Sequence, residues 1–91
     1  MRVEVRFLQE LIKAAGTHRL YIELPEGSTV RDLLERLPVE VRSRVLDEKG
    51  SVKWPAEIAV NGRRVEFLDG LETRLRDGDV VVVSPRALFV V

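Results

Sequence analysis

Few side chains in this chain could do chemistry. His18 is the only histidine, set between Thr17 and Arg19, and there is no cysteine to complete a metal site with it. As a general base His18 would need a nucleophile beside it. Ser28, Ser43, Ser51 and Ser84 stand in no strand–turn–helix context that presents a hydroxyl. His18 therefore reads as a solvated turn residue. Asp77-Gly78-Asp79 places two carboxylates around a turn, but the other ligands of a calcium loop are missing, so it reads as the turn before a strand. Arg63 and Arg64 make a small basic spot beside Asn61-Gly62. That is a solvated hairpin, or a contact for an acidic partner surface. No acid–base pair, metal cluster or phosphate loop is visible. The sequence predicts no enzyme and no cofactor.

The bulk composition narrows the partners. With 15 basic and 15 acidic residues the formal net charge is zero. Domains held to nucleic acid by phosphate neutralisation carry a basic excess, so no nucleic acid is expected. The same balance argues against electrostatic membrane docking. The opening MRVEVRFLQE alternates charged and apolar residues, unlike a signal peptide, and no run approaches a membrane span. A cytoplasmic protein is expected. One Asn and one Gln against abundant charge suggest a thermophile. At 91 residues a single domain is expected, with no linker or repeat.

The elements follow from changes in period. Val3, Val5 and Phe7 alternate with Arg2, Glu4 and Arg6, which predicts a strand with one wet face. LQELIKAAG is an irregular or helical turn closing on Gly16. Leu20, Ile22 and Leu24 then alternate in a second strand, antiparallel to the first. Ser28 or Thr29 caps a helix whose Val30, Leu33, Leu34 and Leu37 form one apolar stripe. Pro38 ends that helix or starts a short second one over Val41 and Val45. A loop follows, in which Trp54 is expected to pack on the core edge, the alternative being an interface anchor. Glu57 to Val60 is a third strand. Asn61-Gly62 suits a two-residue primed turn, and Arg63 to Phe67 returns as a strand. Val80 to Val83 is β-branched throughout and bounded by Gly78 and Pro85, which predicts a last strand. This order predicts an α+β roll with a helix across one sheet face.

The segments VRFLQELIKAAGTHRLYIELPEGSTVRDLLERLP, IAVNGRRV and LDGLETRLRDGDVVVVSP, in this order and spacing, resemble the MoaD/ThiS sulfur-carrier family from about Val3 to Pro85. The resemblance implies a ubiquitin-like β-grasp: a mixed sheet of four to five strands with one main helix across one face. It places the domain over residues 1–85 and leaves 86–91 as an apolar tail. It implies protein partners, either an adenylating enzyme or the large subunit of a molybdopterin synthase. It also implies a sulfur carried on a C-terminal Gly-Gly, activated by ATP. Here Phe89 and Val90 occupy the positions where that family has glycines, and no two glycines are adjacent. The expectation is therefore a docking scaffold without carrier chemistry, and a genuine sulfur carrier is the alternative.

The tail reads Arg86-Ala87-Leu88-Phe89-Val90-Val91. Its apolar run folds back on its own sheet, adds to another chain as a strand, or is disordered. If Val81 and Val83 face the helix, Val80 and Val82 point to the other side, covered by neighbours or available for docking. The partner-binding residues expected are Val80, Val82, Leu88, Phe89, Val90 and Val91, with Arg86 as a polar guide. The partner is a second protein or a second copy of this chain.

Overall fold

The computed structural model describes residues 1–86; the expectations for Leu88, Phe89, Val90 and Val91 lie outside the described residues. The elements in order are β1 (Arg2–Phe7), α1 (Glu10–Ala15), β2 (Arg19–Glu23), α2 (Val30–Glu35), α3 (Val39–Val45), β3 (Glu57–Val60), β4 (Arg63–Arg64) and β5 (Val80–Ser84). Two single-turn 3-10 helices, Val65–Phe67 and Gly70–Glu72, lie between β4 and β5.

Five strands form one mixed sheet in the order β2-β1-β5-β3-β4. β1 and β2 pair antiparallel, with Val3 opposite Ile22 and Val5 opposite Leu20. β5 enters the centre parallel to β1, Val81 beside Val5 and Val83 beside Phe7, and antiparallel to β3. This is the β-grasp arrangement. The period-2 alternation of β1 puts Val3, Val5 and Phe7 on the face where Val81, Val83 and Ile58 also lie, all at most 2% exposed.

α2 closes over that face. Its start is fixed locally: Thr29 Oγ1 accepts the Asp32 N–H at 3.3 Å, and the Asp32 carboxylate accepts the Thr29 N–H at 2.9 Å. This capping box satisfies two helix-end donors at once. Thr29, not Ser28, is thus the cap. Val30, Leu33, Leu34 and Leu37 are buried, and each such side chain contributes roughly 1.5–3 kcal/mol. Pro38 opens α3 and does not merely end α2; Val41 and Val45 bury their side chains in the same core.

Two expectations are corrected. β4 is only two residues long, and the chain turns into a 3-10 helix at Val65 where a strand to Phe67 was expected. The turn buries Val65 and leaves Phe67 70% exposed, its ring 4.8 Å from the Arg64 guanidinium. A continued strand could not send Val65 inward and still lay Phe67 beneath Arg64. Trp54 does not pack on the core: it is 89% exposed. The Lys53 N–H donates to Val45 O at 2.7 Å and the Ala56 N–H to Lys53 O at 2.8 Å. That turn sends the small Ala56 inward and Trp54 outward.

Candidate functional site

The sheet face opposite the helices carries the candidate site. On the strands it comprises the residues that alternate with the core: Arg2, Glu4 and Arg6 of β1, Arg19, Tyr21 and Glu23 of β2, Val80, Val82 and Ser84 of β5, Glu57 and Ala59 of β3 and Arg64 of β4, of which Ala59 and Ser84 are themselves buried. Val82 lies beside Arg6 on one side and opposite Ala59 on the other, and Ala59 in turn opposite Arg64. Arg19 pairs with Arg6 across β1 and β2. One row across the sheet therefore reads Arg19, Arg6, Val82, Ala59, Arg64. Its centre is apolar and its ends are cationic.

The cations are partly neutralised. Glu4, in the neighbouring row beside Val80, pairs with Arg6 and, at 3.2 Å, with Arg19 Nε. Its side chain is 15% exposed, covered by the two longer arginines. Arg64 Nη1 meets Glu57 Oε1 at 3.2 Å. Arg2 stands 4.5 Å from the centre of the Tyr21 ring. Val80 and Val82 are half-buried. β5 is central, so neighbours cover their flanks, and among the described residues no helix covers this face.

Arg86 lies at the other end of β5. Its guanidinium donates to Gln9 Oε1 and to Glu10 Oε2, the latter at 2.5 Å. Glu10 titrates below its ordinary value. Its own backbone N–H holds the carboxylate, partial burial opposes this, and the charges of Arg86 and Arg44 add to the lowering. Sequence reasoning expected Arg86 as a polar guide to a partner and did not foresee its contacts within the chain to Gln9 and Glu10, which are more than 70 residues away. The alternation of β1 and β2 carried the signal for Glu4, Arg6, Arg19 and Tyr21, as residues on a shared wet face.

The other candidate side chains find ordinary roles. His18 is exposed in the turn before β2. Ser28 Oγ donates to Pro25 O at 2.7 Å and Ser84 Oγ to Arg86 O at 2.7 Å. Asp77 Oδ1 accepts the Arg2 N–H, and Asp79 Oδ2 the Arg76 N–H, both at 2.8 Å, so these carboxylates serve the turn. A separate open groove of about 390 Å³ lies beside β3, with Trp54, Ile58, Val65 and Leu71 among its walls. Among the described residues no helix is long and apolar enough to cross a membrane.

A five-stranded mixed sheet grasping its helices on one face defines the class: a small ubiquitin-like β-grasp protein. The chain belongs to the ThiS family, whose profile matches residues 5–85. It is 37% identical over 87 residues to small archaeal modifier protein 3 of Haloferax volcanii, covering 93% of this chain and 95% of that one. It is 34% identical to a candidate molybdopterin converting factor, subunit 1, from Pyrococcus furiosus, with a TM-score of 0.70 over 96% of this chain and 99% of that one. The crystal structure of Haloferax volcanii small archaeal modifier protein 1 shares the fold at a TM-score of 0.83 and 21% identity, covering 94% and 98% of the two chains.

Proposed function

We propose that this chain is a non-catalytic protein-interaction module. It docks through the open sheet face at Val80 and Val82, extended by Arg86, Leu88, Phe89, Val90 and Val91. The observation that carries the reading is Val82: a half-buried apolar residue on the central strand, between Arg6 and the buried Ala59, on a face that no helix among the described residues covers. An apolar centre with charged ends suits a protein partner, whose own polar rim meets the arginines. The partner is an adenylating-enzyme-like protein, a molybdopterin-synthase large-subunit-like protein, or a second copy of the chain. The compartment is the cytoplasm. Relatives named as modifiers and as a converting-factor subunit support a protein partner.

The second reading is a sulfur carrier, favoured by the family match itself. No two glycines are adjacent among these 91 residues, and a glycine pair is what gives such a carrier an unhindered carboxylate. The first reading therefore assigns it docking without sulfur transfer.

The test is light scattering of the full chain alone, and calorimetric titration with each of the two enzymes from the same source. Val82→Glu and a chain stopped at Pro85 are run beside it. Self-association or binding that both variants weaken at least about tenfold, at unchanged Tm, supports docking. A full chain that stays monomeric and binds neither enzyme overturns it. ATP-dependent adenylation of the chain by the activating enzyme establishes the second reading.

A further inference from the structure

Among the described residues the sheet has two open edges, β2 and β4, and they differ. β4 is two residues long, and two copies meeting there would set Arg63 against Arg64, like charge on like. β2 runs five residues, Arg19–Glu23, with no proline, lysine or bulge to blunt it. Two bonds to β1 fix which of its backbone groups face outward. The Phe7 N–H donates to His18 O at 3.0 Å and the Leu24 N–H to Met1 O at 2.8 Å, so His18, Leu20, Ile22 and Leu24 turn toward β1. The N–H and C=O groups of Arg19, Tyr21 and Glu23 therefore point away from the sheet. Thr17 Oγ1 donates to the Arg19 carbonyl at 2.9 Å and accepts its N–H at 3.3 Å, and Arg36 Nη1 donates to Glu23 O at 3.2 Å. A carbonyl accepts two bonds, so only the long Arg19 N–H contact would have to change partner for another strand to dock. The core face is also unfinished along this edge. Leu20 and Ile22 are partly buried, whereas Val5 and Val3 opposite them are at most 1% exposed.

We propose that β2 pairs antiparallel with β2 of a second copy, about a twofold axis at Tyr21, joining two sheets into one. In this register Arg19 lies opposite the second copy's Glu23, and Glu23 opposite its Arg19, on the wet face. Leu20 lies opposite the second copy's Ile22, and Ile22 opposite its Leu20, on the core face. The Tyr21 N–H and carbonyl exchange bonds with their own counterparts. Arg-Leu-Tyr-Ile-Glu is thus its own complement: opposite charges meet, and apolar meets apolar. Sliding the register by two residues unpairs the charges. Arg19 is already held on this face by Glu4 at 3.2 Å, while Glu23 has no ion-pair partner among the described residues. Five residues a side is fewer than the roughly 20–30 of a stable interface, so the pairing is weak and concentration-dependent. The proposal does not rest on docking at Val80 and Val82.

The experiment is sedimentation equilibrium of the full chain from about 10 µM to about 1 mM, with amide hydrogen exchange followed at both limits. Wild type is compared with Arg19→Glu, with Glu23→Arg and with an equimolar mixture of the two variants. Wild type is expected to move toward dimer mass as concentration rises, with exchange of the Tyr21 N–H slowed at least about twofold. Each variant alone sets like charges across the pairing and is expected to weaken it about tenfold. The mixture brings opposite charges together again and is expected to recover the dimer, which separates edge pairing from damage to the fold. A wild type that stays monomeric throughout overturns the proposal. So does a mixture as monomeric as its components, or association that leaves Tyr21 exchange unchanged. Association that both single variants retain and Val82→Glu weakens belongs to the open sheet face, and overturns edge pairing as well.

Discussion

The Asn61 side-chain amide donates to Asp79 Oδ1 at 2.9 Å, tying the tip of the β3–β4 hairpin to the turn that opens β5. Asn61 works on both sides, since its Oδ1 accepts the Val80 N–H at 2.9 Å. Its backbone is left-handed, φ 51°, and Gly62 follows at φ 85°, as a primed turn requires. Two motifs that looked like separate turns are one junction.

Two kinds of loss can be separated there. Asn61→Gly keeps the backbone conformation and removes the side-chain bonds, so it should cost about 1 kcal/mol. Asn61→Ala adds left-handed strain and should cost more. Urea denaturation of both, with Asp79→Ala to close a double-mutant cycle, checks this. Additive losses would deny the coupling.

The capping box makes Thr29 disproportionately important for a six-residue helix. Thr29→Ala should cost about 1 kcal/mol, and Thr29→Ser should come close to wild type because the accepting oxygen remains. Chemical denaturation of the pair decides; equal losses would mean the methyl group matters, not the cap.

Aromatic size is a poor guide to stability in this chain. Trp54→Ala should change stability by less than about 0.5 kcal/mol, since Trp54 is 89% exposed. Leu34→Ala, at a position with no exposure, should cost about 2–5 kcal/mol. A thermal melt in which the tryptophan variant falls as far as the leucine variant would put Trp54 back on the core.

Acid should loosen one loop before the rest. The Asp47 carboxylate accepts the Lys49 N–H at 2.9 Å and the Ser51 N–H at 3.0 Å. The Ser51 bond chiefly, against some desolvation and with help from Lys49, lowers its titration below the ordinary 3.8. A depressed carboxylate stabilises fully above its unfolded value, and that stabilisation is lost as pH falls through the folded one. The loop should therefore be intact at neutral pH and open only below about pH 4. Carboxyl carbon-13 shifts of Asp47 should show the low midpoint, and Asp47→Asn should remove this loop's share of the acid transition. A midpoint at or above 3.8 would contradict the hydrogen bonding.

What the sequence determined by itself is what short-range physics controls. The alternation of Val3, Val5 and Phe7 set a strand and its wet face. The spacing of Val30, Leu33, Leu34 and Leu37 set a helix and its buried stripe, and Asn61-Gly62 set a turn. Each depends on neighbours within a few residues, so each is written locally. The tertiary structure decided the rest. Only the parallel entry of β5 beside β1 puts Val82 between Arg6 and Ala59, and makes an apolar strip with cationic ends. Only closure of the sheet brings Arg86 to Gln9 and Glu10, or ends β4 early so that Val65 turns inward. These outcomes join residues from distant parts of the chain. They depend on which strands meet once the core has closed, which no local pattern records.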